Sequence, residues 1–131
     1  MGVYRPMTFT YDSKGELLTT TDPKLNKTTL AYTTAGLIAS VTDAQSKITQ
    51  FQYDSRGNRT AVIDALNQQT TFTYDSMNRM TKIGYPTSPA TSVQLGYDYR
   101  GRKTSVTDTN GKLTQYAYDD ADRLISVTEC R

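Results

Sequence analysis

Six tyrosines, five of them followed by aspartate, punctuate the chain at a nearly constant step. Tyr11-Asp12, Tyr32-Thr33, Tyr53-Asp54, Tyr74-Asp75, Tyr97-Asp98 and Tyr118-Asp119 fall 21, 21, 21, 23 and 21 residues apart. A period of this length marks repeat architectures, in which each unit packs mainly on its neighbours. Residues 1–131 therefore read as a single array of six repeats centred on these tyrosines. The period says how the chain stacks and not what it touches.

Aligned on the tyrosine, each position shows its purpose. Two residues before it stand Phe9, Leu30, Phe51, Phe72, Leu95 and Tyr116, and two before those Met7, Thr28, Thr49, Thr70, Val93 and Thr114. Alternation with period two predicts a strand of about five residues ending at each tyrosine, in residue types that favour pleated backbone. Four residues after it come Gly15, Gly36, Gly57, Asn78, Gly101 and Asp122, which tolerate a left-handed backbone. In YDSKG the Asp12 carboxylate can accept from turn amides while Gly15 closes a type I turn with a bulge, so the segment is a hairpin tip. Thr33 replaces the aspartate in the second unit and can act similarly through its hydroxyl.

The chain then returns through a second strand. With a bulge at the turn glycine, each tyrosine pairs with the residue six places on: Leu17, Ile38, Arg59, Met80, Lys103 or Leu124. The Val or Ile nine places on then falls on the opposite face, unless a second bulge reverses the parity; the sequence leaves both open. Asp22-Pro23, Asp43-Ala44, Asp64-Ala65 and Asp108-Thr109 mark a second turn. Pro86 and Pro89 stand in the longer interval after Tyr74, where a larger projecting loop is expected. No window has helical spacing with caps. The expected fold is all-β: an antiparallel meander of six tandem hairpins, an open and twisted or curled sheet.

Composition narrows the functional classes. With the 8 glycines counted in, the apolar share is about 42 %, against about 45–50 % for ordinary domains, so a thick two-layer core is not expected. Net charge is +2 with no run of Lys or Arg, which points away from nucleic acid and anionic membranes. No apolar stretch approaches the ~20 residues of a membrane span. The opening MGVYRPMTFTYD enters the repeat directly, and no signal peptide is expected there. Cys130 is the single cysteine and forms no internal disulfide. With 0 histidines the Ser-His-Asp, Cys-His and His-bearing zinc arrangements are unavailable, and no phosphate-cradling loop occurs.

The recurring acids Asp12, Asp54, Asp75, Asp98 and Asp119, with Asp22, Asp43, Asp64 and Asp108, are turn formers. A catalytic pair needs two unlike environments, whereas a repeat gives every acid nearly the same one. Calcium needs several oxygens converging on one loop, and each turn supplies one acid. No catalytic residue, cofactor or metal is expected. The tyrosine row reads as cross-strand packing, with a glycan-stacking face as the rival. Arg56, Arg59, Arg79, Arg100, Arg102 and Arg123 read as a solvated rim.

The segments YDSKGELLTTTDP, YDSRGNRTAVIDALNQQTTFTYD and YDYRGRKTSVTDTNGKLTQYAYD resemble the YD-repeat, or RHS-repeat, family over about residues 7–129. Its members include bacterial RHS polymorphic toxins, the B and C components of insecticidal toxin complexes, and the teneurins. The resemblance implies a non-enzymatic structural segment of a β-sheet wall, for toxin encapsulation or cell-surface presentation, in a secreted or surface protein of bacterial type. Nothing here matches the aspartic self-cleavage segment found in some members. The implied structural set is Tyr11, Asp12, Gly15, Tyr32, Gly36, Tyr53, Asp54, Gly57, Tyr74, Asp75, Asn78, Tyr97, Asp98, Gly101, Tyr118 and Asp119. Expected partners are further repeats of a parent chain or identical copies at the sheet edges, and an enclosed toxin domain. Two other classes of function stand beside this one: self-assembly into a filament through open edges, and a carbohydrate-binding or adhesion module using the tyrosine face.

Overall fold

In the computed structural model, which describes residues 2–130, every regular element is a β-strand. The chain divides between Gln68 and Gln69 into two compact units. The first holds β1 (Thr8–Tyr11), β2 (Leu17–Thr21), β3 (Lys27–Tyr32), β4 (Ile38–Thr42), β5 (Ile48–Tyr53) and β6 (Arg59–Ile63). The second holds β7 (Gln69–Tyr74), β8 (Met80–Tyr85), β9 (Thr91–Tyr97), β10 (Lys103–Thr107), β11 (Leu113–Tyr118) and β12 (Leu124–Cys130). Within each unit every strand pairs antiparallel with the next in sequence, so the all-β hairpin meander is the observed architecture.

The register answers the question of parity. Tyr11, Tyr32, Tyr53, Tyr74, Tyr97 and Tyr118 pair with Leu17, Ile38, Arg59, Met80, Lys103 and Leu124. The register then slips by one residue beside each tyrosine, so that Phe9 faces Thr20, Leu30 faces Val41, Phe51 faces Val62 and Phe72 faces Ile83. Leu95 likewise faces Val106, and Tyr116 faces Val127. This second bulge returns the Val/Ile position to the tyrosine side, because one inserted residue inverts a period-two alternation. The repeat's aromatic or Leu positions and its Val/Ile position therefore share one face, and Thr, Ser and Gln dominate the other. Thr10 and Thr19 on that polar face join hydroxyls at 2.6 Å.

The sheet has no second layer over either face in its own unit. Among the described residues Ala61, 2 % exposed, is the one fully buried apolar residue. The half-exposed rows gain stability by cross-strand pairing rather than by enclosure.

Outside residues 86–90, the second connection of a repeat is built like the first. In the first turn the Asp12 amide donates to the Glu16 carbonyl at 2.9 Å and the Gly15 amide to the Asp12 carbonyl at 3.1 Å. In the second the Asp22 amide donates to Asn26 at 3.1 Å and Leu25 to Asp22 at 2.9 Å. The fourth turn residue is left-handed in both, at φ 85° for Gly15 and 68° for Leu25. Leu25 carries the cost of that conformation, about 1–2 kcal/mol for an L-residue with a side chain, and its side chain is exposed. Leu25→Gly removes the strain and returns about 0.5–1 kcal/mol as unfolded-chain entropy. A net gain of about 0.5–1 kcal/mol is expected in urea denaturation; a lower midpoint would show that Leu25 makes a compensating contact.

The connection after β8 departs from expectation. It runs over residues 86–90, the same length as the turns at 22–26 and 64–68, and does not form a larger loop. The two extra residues of that interval are absorbed by β8 and β9, which continue pairing through Gly84↔Ser92 and Tyr85↔Thr91. Strand extension adds one residue pair, Tyr85↔Thr91, to the ladder, which a projecting loop would leave to water.

Candidate functional site

The groups that recur in every repeat converge where one hairpin meets the next. The Tyr32 hydroxyl donates to the Leu17 carbonyl at 2.8 Å, Tyr53 to Ile38 at 2.8 Å, Tyr97 to Met80 at 2.9 Å and Tyr118 to Lys103 at 2.8 Å. Each acceptor is the residue paired with the previous repeat's tyrosine, beside the bulge that interrupts the ladder. The phenol thus satisfies a carbonyl at the irregular point of the preceding hairpin and ties two repeats together.

The turn aspartates act within their own hairpins. One oxygen of Asp54 accepts from the amides of Arg56 and Asn58, both at 2.9 Å, and the other from the Asn58 side chain at 3.0 Å. Asp12, Asp22, Asp75, Asp98 and Asp119 hold the corresponding amides. Thr33 retains only a 3.2 Å contact from the Leu37 amide. These bonds favour the charged carboxylate and hold its pKa below the usual range. The dominant cause is the Glu16 amide for Asp12, the Asn26 side chain for Asp22 and the Asn58 side chain for Asp54. For Asp75 and Asp119 it is the amide of Arg79 and of Arg123. At Asp98 desolvation is the largest influence and pushes upward, but the Arg102 side chain and the turn amides together outweigh it. No group of three or more His, Cys, Asp or Glu suited to a metal occurs among the described residues.

The arginines prove to be more than a solvated rim: Arg59 lies 4.6 Å from the Phe51 ring centroid, Arg100 donates to the Asp120 carbonyl at 3.2 Å, and Arg79 and Arg102 do both kinds of work at once. Arg79 binds Asp75 through Nε at 2.7 Å, reaches the Asp98 carbonyl of the next repeat through Nη1 at 2.9 Å, and lies 4.8 Å from the Tyr97 ring centroid. Arg102 repeats this one hairpin on: Nε to Asp98 at 2.6 Å, Nη1 to the Asp119 carbonyl at 3.0 Å, and 4.8 Å over Tyr118. Arg102 also meets Asp122, which Arg100 shares. The side chains of Arg79 and Arg102 are 25 % and 21 % exposed, because a planar guanidinium can stack and fork its hydrogen bonds at once. The pattern Asp-x-x-x-Arg, with a tyrosine opening the next repeat, was the available signal. Arg102→Ala should lower the melting temperature by several degrees. Arg102→Lys should recover only part, since an ammonium cannot bridge both aspartates while stacking; full recovery would reduce the clamp to net charge.

The outer strands are open. All four residues of β1 and all seven of β12 are exposed, including Phe9, Tyr11, Leu124, Ile125 and Val127. No helix of the described residues is long and apolar enough to cross a membrane.

One-layer hairpins, riveted by a tyrosine hydroxyl at four boundaries within the two units, define a structural β-repeat protein. The RHS Repeat family model matches residues 32–67, 53–90 and 97–129, and the chain belongs to that family. Similar solved structures include TcdB2-TccC3-Cdc42 (TM-score 0.76, 21 % identity) and TcdB2-TccC3 (0.75, 22 %). The Tc holotoxin pore of Photorhabdus luminescens with a TccC3 mutation is also similar (0.75, 23 %). Each match covers 92 % of this chain and 7 % of the other, so the chain spans a small fraction of those proteins' length. No curated protein matches it in sequence.

Proposed function

We propose that this chain is a non-enzymatic stretch of β-sheet wall in a secreted or surface RHS-repeat protein of bacterial type, serving encapsulation of a toxin domain or presentation at the cell surface. The observation that carries the reading is the repeated tyrosine-to-carbonyl rivet in sheets without an enclosed core. Such an element gains its order from neighbouring repeats and suits a barrier better than a self-contained globule. Membership of a structural repeat family supports the non-enzymatic role, and the likeness to toxin-complex structures supports the fold on which encapsulation would rest. The hydroxyls of Tyr32, Tyr53, Tyr97 and Tyr118 are engaged by backbone, which favours packing over glycan contact for the tyrosine row.

An antibody raised against the chain tests the reading on extracts of its source cells and their medium. A protein several times larger than 14.6 kDa is expected. A sole species of 14.6 kDa would remove the parent wall from consideration.

A further inference from the structure

The fourth and fifth repeats each send a guanidinium across to the next hairpin tip, and the second repeat does not. Arg79 bonds the Asp75 carboxylate of its own turn, the Asp98 carbonyl of the next and the face of the Tyr97 ring. Arg102 does the same with Asp98, Asp119 and Tyr118. Counted from the repeat tyrosine, Thr33 stands in the place of Asp75 and Leu37 in the place of Arg79. Both members of the acid-base pair are therefore different, while the receiving Tyr53 and Asp54 correspond to Tyr97 and Asp98. The Asp54 carbonyl accepts from the Gly57 amide at 3.0 Å, as Asp98 does from Gly101 at 3.0 Å. Asp98 takes Arg79 as well. Leu37 covers Gly57 as Arg79 covers Gly101 but has no proton to give. A carbonyl has two lone pairs, so Asp54 keeps one for a further donor.

A cavity of about 490 Å³ lies at this point inside the first unit, with Thr33, Leu37, Phe51, Tyr53 and Asp54 in its walls and no Lys or Arg among its lining residues. The Tyr53 hydroxyl is held by the Ile38 carbonyl, as that of Tyr97 is by Met80, which leaves the ring face for a ligand. We infer that this cavity is a receptor site for an arginine side chain of a partner polypeptide. The guanidinium stacks on the Tyr53 ring, donates to the Asp54 carbonyl and turns a further N–H to the Thr33 hydroxyl. These are the places that Tyr97, Asp98 and Asp75 hold around Arg79. Electrostatics favour a cation, because the aromatic face, the carbonyl oxygen and the Asp54 carboxylate all present negative charge to it. Arg56 and Arg59 do not bar it, since Arg100 and Lys103 occupy the corresponding positions after Tyr97, where a guanidinium is held. An ammonium fits less well, being unable to stack as a plane and fork its bonds at once. The inference goes beyond the wall reading by naming the chemistry of a partner, and it does not depend on that reading.

NMR titration of the isotope-labelled chain with a capped Gly-Arg-Gly peptide tests it, with capped Gly-Lys-Gly as the control. Amide signals should move at Leu37, Asp54 and Gly57, and the arginine peptide should bind about fivefold more tightly than the lysine peptide. Thr33→Asp supplies a carboxylate acceptor and should tighten binding by about tenfold. Thr33→Asp combined with Leu37→Arg rebuilds the internal clamp of the fourth and fifth repeats. That double variant should match the parent in circular dichroism, melt at a higher temperature and no longer bind the peptide. Equal binding of the two peptides, shifts confined to other hairpins, no saturable shift at all, or binding that survives in the double variant overturns the inference.

Discussion

Tyr53→Ala is expected to destabilise the chain by about 3 kcal/mol, at the low end of aromatic truncations because the ring is only half-buried. Two losses combine. The ring leaves the row it shares with Phe51 and Val62, and the Ile38 carbonyl loses its phenolic donor. Tyr53→Phe separates them: it keeps the ring and removes only the 2.8 Å bond, for about 1 kcal/mol. The difference between the variants in urea denaturation measures ring packing alone. Hydrogen exchange should then show faster opening on both sides of the boundary, in β3–β4 as well as β5–β6, because the rivet couples adjacent hairpins. A phenylalanine variant as damaging as alanine would place the whole effect in the hydroxyl; exchange confined to β5–β6 would show that the tyrosine holds only its own hairpin.

That coupling was the part of the structure hardest to see in the sequence. The hairpin tips were legible because Gly15, Gly36, Gly57 and Gly101 answer a local demand, a left-handed residue four places after the tyrosine. The strand pairing followed from the same turn, since the bulge fixes which residue faces each tyrosine. The second turn showed as an aspartate and a break, with Asn110-Gly111 as a turn signal in the fifth unit. Of its left-handed residues, Gly111 and Asn67 suit that backbone, whereas Leu25 and Ser46 are placed by the backbone around them. Pro86 and Pro89 suggested a loop, but the backbone satisfied more bonds by lengthening β8 and β9.

The parity of the faces required a second bulge that no residue type announces. Leu18, Ala39, Thr60, Thr81, Thr104 and Ile125 stand at the skipped position and have nothing obvious in common. Arg79 and Arg102 depart from a solvated rim for a related reason. Charge beside an exposed turn is ordinarily solvated, and only the stacking distance between successive hairpins brings their guanidinium groups onto Tyr97 and Tyr118. Local rules thus fix each hairpin, whereas the spacing between hairpins decides which of its side chains reach the next.

The turn aspartates give the array a sharp acid limit. Asp12, Asp22, Asp54, Asp75, Asp98 and Asp119 all have folded-state pKa values below the ordinary 3.8, so each binds its proton less readily folded than unfolded. Their stabilisation is fully present above the unfolded value and is lost as pH falls through the folded ones. With 0 histidines in the chain, no side chain of ordinary pKa changes charge between about pH 5 and 7.5. Urea midpoints should therefore be flat across that range and fall as pH drops through the carboxylate range, with a net uptake of protons on unfolding. Asp54→Asn tests the cause, because the amide oxygen can still accept from the Arg56 and Asn58 backbone but no longer titrates. Its acid slope should be shallower than the parent's, while a slope unchanged by Asp54→Asn, or a decline already under way at pH 6, would move the acid sensitivity away from the turns.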